Sequence, residues 1–206
     1  MNLEKLKEAE SAFLNKYPGG FDNLEMQALG KKHRMGKRIT QAQDFFGKSK
    51  FRDAETICTD MVKVINASSM VSLFEKPKFR DLLKKLSDKQ KQQLSNGLKN
   101  FLHGDQEKGF NAMLDILRSG KLAKWSLLTI IPNYYYSDKE VFVKPTTAKG
   151  IIANFELEKL IYKPQPSWEF YQGYRKAILE MKDFIDESLT PNNAAFSGFL
   201  MMVMNN

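Results

Sequence analysis

The stretch SDKQKQQLSNGLKNFLHGDQEKGFNAMLDILRS, residues 87–119, decides the fold class. Leu94, Leu98, Phe101 and Leu102 fall on one helical face, and Phe110, Met113, Leu114 and Leu117 fall on a second. Apolar spacings of three and four bury one stripe of a helix and leave charge on the other side. Ser87 stands three residues ahead of Gln90. That is the form of a capping box, in which serine accepts from the third backbone N–H and glutamine reaches back. Gly104 reads as a helix stop in the left-handed cap conformation. Asp105 then reads as the cap of the next helix.

The same signals recur outward from this stretch. Ala54, Ile57, Cys58, Met61 and Ile65 share a face, as do Phe79, Leu82, Leu83 and Leu86. Asp22 with Glu25, and Thr40 with Gln43, also have the capping-box form, and Gly47 reads as a stop. Thr146 or Thr147 is expected to cap a helix to about Phe155. Ser167 is expected to cap a long helix, Trp168 to Ser188, with Tyr171, Tyr174, Ile178, Met181 and Ile185 as its seam. Leu160 to Ser167 reads as an extended connector, because each proline pushes its predecessor out of the α region. Thr190-Pro191 reads as a cap followed by proline at the first helical position. The last helix, Asn192 to Met204, is apolar almost all round, so it is expected to be buried in the domain or against a partner. One region is ambiguous. Leu127 to Ile131 reads either as a short strand paired with Val141-Phe142-Val143 or as a short helix.

The expected fold is therefore mainly α: an irregular multi-helix bundle of about eight to ten helices, with at most a very small β element near 127–143. A chain of 206 residues reads as a single helical domain, 1–206. A subdivision into a basic helical half, 1–120, and an aromatic-rich half, 121–206, stays open. Hydrophobic residues make up 42% of the chain, enough for a core and too many for global disorder. The single cysteine, Cys58, rules out an intramolecular disulfide and a four-cysteine metal site. The longest apolar run, Phe199 to Met204, is too short to span a bilayer, and the N-terminus lacks a signal-peptide pattern. The expectation is a cytoplasmic protein with no membrane association.

Charge is unevenly placed. The net charge is +8, but residues 31–99 alone hold 17 bases against 7 acids. Lys31, Lys32, Arg34, Lys37, Arg38, Lys48, Lys50 and Arg52 face only Asp44 in their stretch, and Lys76 to Lys99 holds eight more bases against Asp81 and Asp88. Such a block suits a nucleic acid or another polyanion, which binds largely through counterion release. The alternative is a solvated, solubilising surface. Lys144, Thr146, Thr147 and Lys149 form a helix start suited to a phosphate, with Arg175 and nearby tyrosines shaping a pocket. An ordinary cap with two exposed lysines is the plainer reading. Of Tyr134, Tyr135 and Tyr136, one or two are expected to be exposed and to offer a binding surface.

Catalytic chemistry has little support. His33 and His103 stand far apart in sequence, and no metal or cofactor is implied. Asp138 and Glu140 with Lys144, and Glu156 and Glu158 with Lys159, have the residue types of an Mg²⁺-dependent nuclease centre, though a helical chain is a poor host for one. Cys58 on an apolar face reads as inert core. No nucleophile elbow, dinucleotide or kinase signature is present.

The blocks Lys121-Leu122-Ala123-Lys124-Trp125, Val141 to Thr147 (VFVKPTT), Pro166 to Arg175 (PSWEFYQGYR) and Asn193 to Met202 (NAAFSGFLMM) resemble a family of bacterial proteins of uncharacterised activity. Pro18 to Phe21 and Ser72 to Pro77 extend the resemblance into the first half. It implies a complete bacterial protein and assigns no activity and no site residues.

Three functions are open at this point. The first is a non-catalytic protein whose basic half meets a polyanion, and it requires the two basic clusters to share a face. The second is an enzyme for a phosphorylated substrate, which requires a pocket beside Thr146. The third is a protein-interaction or self-association module docking through 192–204, which requires Phe196, Phe199, Leu200 and Val203 to be exposed.

Overall fold

Ten consecutive residues, Trp125 to Tyr134, are all buried. A helix buried on every side cannot lie on a surface, so it becomes the axis around which others pack. The computed structural model, which describes residues 1–204, makes this segment a central helix. Among the described residues eleven helices run in order: α1 (Leu3–Lys16), α2 (Leu24–Lys31), α3 (Met35–Phe46), α4 (Ala54–Ala67), α5 (Glu75–Lys85), α6 (Asp88–His103), α7 (Gln106–Ser119), α8 (Trp125–Tyr135), α9 (Pro145–Asn154), α10 (Trp168–Lys182) and α11 (Asn193–Val203). Short 3₁₀ turns occupy Gly20–Asp22, Lys48–Lys50 and Glu187–Leu189. Helices α3, α4, α6 and α7 all pack on α8. Burying each of Leu127, Leu128, Ile130 and Ile131 contributes about 1.5–3 kcal/mol.

The ambiguity at 127–131 is thus settled as helix. Val141 to Val143 are buried and lie in no regular element, and no strand occurs among the described residues. The Val143 amide donates instead to Thr129 Oγ1 on α8, at 3.0 Å. That hydroxyl in turn donates to the Trp125 carbonyl at 2.8 Å.

The helix starts at Ser87, Asp105 and Ser167 are realised, and Ser87 and Gln90 complete their capping box. Others move. Asn23, not Asp22, caps α2. Thr40 and Gln43 lie inside α3. Lys144 precedes α9 with Pro145 at its first position, so Thr146 and Thr147 sit in the first turn and do not cap. Asn192 caps α11 in place of Thr190, and α10 ends at Lys182, six residues before Ser188. Gly47 and Gly104 do end helices, with φ of −57° and −146°. Neither uses the left-handed conformation, so their role is to break the helix and not to turn it.

α6 and α7 cross at close range. Gly97 and Gly109 face each other there, and a Cβ on Gly109 would meet the Phe101 amide nitrogen. The second half closes onto the first through α11, which packs on α1, α9 and α10. Phe13 of α1 meets Phe199 of α11 edge-on at 5.2 Å. The Asn2 amide donates to the Phe155 carbonyl, and Lys5 Nζ pairs with Glu156 Oε1 at 2.7 Å.

Cys58 lies in the α4 stripe, where burial pushes its thiol up to about 11. A thiol that stays protonated is a poor nucleophile. A disulfide reagent at pH 8 is therefore expected to label the folded protein far more slowly than the protein unfolded in guanidinium. Equal labelling rates would contradict this packing.

Candidate functional site

Seven of the eight bases in the first cluster are exposed: Lys31, Lys32, Arg34, Lys37, Lys48, Lys50 and Arg52. Among the described residues none of the seven forms a side-chain ion pair. Arg38 is the exception and a correction to the charge count. It is only 7% exposed. It shares the i, i+4, i+8 stripe with Ala42 and Phe46, and that stripe faces α8. Its Nη1 donates to Gln41 Oε1 at 2.6 Å, while Nε is buried without a protein partner among the described residues. Arg38 is therefore unavailable to a surface ligand.

The cluster also divides. Lys31, Lys32, Arg34 and Lys37 lie at the N-terminal end of α3, whereas Lys48, Lys50 and Arg52 follow its C-terminal end. A helix of twelve residues separates them by about 18 Å. The second group sits by the end of α6, where the Phe51 ring meets His103 at 5.8 Å. The first group turns toward residues 68–74, because His33 Nδ1 and Ser69 Oγ are 2.8 Å apart. Partial burial, and then Lys32, hold the His33 imidazole below the usual histidine range, so it adds no charge at neutral pH.

The second basic cluster reaches the same loop. Lys76 Nζ donates to the Ser68 carbonyl at 2.6 Å. Arg80 is paired with Asp81 and Lys91 with Glu55. Lys78, Lys84, Lys85 and Lys89 are exposed without an ion pair among the described residues. The two clusters therefore approach each other at residues 68–74 and nowhere share a single face of sixteen bases.

The phosphate arrangement does not assemble. Lys144 and Thr146 are exposed and Thr147 is buried. The Lys149 ammonium lies over the Tyr162 ring at 5.1 Å. Arg175 belongs to a different place. Its Nη1 contacts Glu140 Oε1 at 2.6 Å in an ion pair that is nearly closed to solvent. Gln106 Nε2 donates to the same oxygen at 2.9 Å, and the Tyr171 hydroxyl donates to Glu140 Oε2 at 2.6 Å. Burial, and next the Glu140 carboxylate, push the Tyr171 phenol well above its usual range, which keeps it a donor. Asn193 Nδ2 donates to the Glu140 carbonyl at 2.9 Å and receives Lys182 at its own side-chain oxygen. This network joins α7, α10 and α11 to the segment after α8. Arg175 also borders a shallow surface groove with Asp138, Lys176 and Lys182. Each cation there already has a partner, Lys176 through Glu180 at 3.7 Å.

Glu140 is thus the acid of a buried ion pair. Glu156 is held by Asn2 and Lys5. Among the described residues no group of three or more histidine, cysteine or acidic side chains gathers around a common point.

The tyrosine run is mostly internal. Tyr134 is fully buried, and its hydroxyl is 2.8 Å from Ser68 Oγ. Tyr135 and Tyr136 are half-buried, packed edge-on against each other at 4.6 Å, with Tyr135 also on His103. None of the three offers an open ring. On α11, Phe196, Phe199 and Leu200 are fully buried against the protein's own helices, which removes the anchors expected of a docking helix. No helix among the described residues is long and apolar enough to cross a membrane.

The open rings and side chains are elsewhere. Leu73 and Phe74, in the loop where the basic clusters meet, are 78% and 81% exposed. No family model, no curated protein and no solved structure matches this chain.

Proposed function

We propose that the protein is a non-catalytic binder of nucleic acid that holds the phosphate backbone with the bases around residues 68–74. The observation that carries this reading is the absence of ion pairs, among the described residues, at the exposed Lys31, Lys32, Arg34, Lys37 and Lys78. An exposed cation without an acidic neighbour keeps its full charge for a polyanion, and each phosphate it neutralises releases condensed counterions. His33 and Lys76 fix the two clusters to the same loop.

The test is fluorescence anisotropy with labelled duplex DNA, single-stranded DNA and RNA across a salt series. The parallel variant carries Lys31, Lys32, Arg34 and Lys37 changed to glutamate, with the buried Arg38 left intact. Affinity is expected to fall steeply with log salt. In the variant the duplex slope is expected to be shallower by about 3 to 4, at roughly −0.9 per phosphate contact. No binding at low salt, or a variant that binds like the parent, would refute the reading.

A further inference from the structure

The Leu73–Phe74 tip adds a preference that charge alone does not give. Resting on the phosphate-contact reading above, we infer that Phe74 is a base-stacking platform that selects single-stranded over duplex nucleic acid.

Phe74 immediately precedes α5 and is 81% exposed. Phe79 and Leu83 point α5's apolar stripe into the core, and a residue five positions before Phe79 falls off that stripe. Among the described residues no other ring packs on Phe74 and no cation covers it. The backbone behind it is fixed. Its amide donates to Ser72 Oγ at 3.2 Å, and the Glu75 amide donates to the Ser72 carbonyl at 3.0 Å. Glu75 itself is turned away, bonded to Ser126 Oγ on α8. The open ring thus stands on a hydrogen-bonded turn, with Lys76 and Lys78 two and four residues on in α5, and with Ser69, the residue that meets His33 of the first cluster, five residues before it.

Every base has a face that stacks on such a ring, but only an unpaired base can present it. A duplex offers its phosphates alone. A lipid surface fits less well, because interfacial helices bury a whole apolar face. Here the α5 face is already inside, leaving one ring and one leucine.

The experiment compares the full chain with Phe74→Ala and Phe74→Trp, titrated against labelled oligothymidylate, labelled duplex DNA, and vesicles of phosphatidylcholine with phosphatidylserine. Phe74→Ala is expected to weaken oligothymidylate binding by about 5- to 100-fold and to leave duplex binding unchanged. Phe74→Trp is expected to retain binding and to show indole quenching on the single strand only, read as the difference from the emission of the parent's buried Trp125 and half-buried Trp168. An unchanged single-strand affinity in Phe74→Ala, with salt-sensitive binding intact, would overturn the stacking role and leave the phosphate reading standing. Loss of all nucleic-acid binding by the parent would overturn both. Vesicle binding that depends on Phe74, without nucleic-acid binding, would make the tip a lipid contact and refute the inference.

Discussion

Replacing Gly109 with alanine is expected to lower the stability by about 3 kcal/mol, and the melting temperature by about 6–12 °C. The added methyl would lie 2.6 Å from the Gly97 carbonyl oxygen and 2.7 Å from Phe101 Cα. Both are backbone atoms of α6, and backbone cannot rotate aside as a side chain can. The two helices must separate, and that loosens Phe101 and Phe110, which meet edge-on at 5.9 Å across the same crossing. The matched control is Gly198→Ala in α11, where a Cβ meets nothing within 4 Å. There the loss of unfolded-state freedom is expected to stabilise by about 0.5–1 kcal/mol. Differential scanning calorimetry of the two variants decides the matter. Equal melting temperatures would mean that the α6–α7 crossing is wider than described.

Replacing Arg175 with methionine is expected to cost about 3–5 kcal/mol. Glu140 is 3% exposed, and in this variant its carboxylate would stay inside without its cation. Gln106 and Tyr171 would still donate to it, but two neutral donors do not replace a charge. The cost should lie mostly in the stranded charge and not in lost attraction. The double variant Arg175→Met with Glu140→Met is therefore expected to recover much of the stability. Chemical denaturation of the single and double variants measures this. A double variant no more stable than the single one would show that the pair is intrinsically stabilising.

Much of the helical order was legible because it rests on local chemistry. The stripes at Leu94–Leu98–Phe101 and Phe110–Met113–Leu117 are buried as their spacing demands, and the caps at Ser87, Asp105 and Ser167 need only a side-chain oxygen and a free N–H. Where the structure departs from the local signal, a neighbour decides. Thr40 has the form of a cap, but Arg34, in the left-handed region at φ 48°, starts the helix earlier. The run Leu127–Ile131 holds one polar residue, Thr129, so periodicity alone does not separate strand from helix there.

The candidate surface was legible in charge and illegible in direction. Counting bases placed Arg38 with Lys37, though one faces α8 and the other solvent. The stripe Arg38–Ala42–Phe46 carried that signal. Aromatic density points to Tyr134–Tyr136, but Tyr134 is core and the half-buried rings of Tyr135 and Tyr136 pack on each other. The open ring, Phe74, sits between Leu73 and Glu75 and out of register with Phe79 and Leu83. A hydrophobic residue off its own helix's stripe is the signal that would have found it.

The central position of α8 also bears on how the chain is made. α3, α4, α6 and α7, which wrap this helix, all precede it in sequence. Translation therefore delivers the wall before the filling. Until Trp125 to Tyr134 leave the ribosome, Phe110, on which Trp125 packs, and the α8-facing sides of these helices lack part of their native cover. An incomplete chain of this kind exposes the sticky surface that chaperones recognise, so the interval before α8 emerges is one in which aggregation competes with folding.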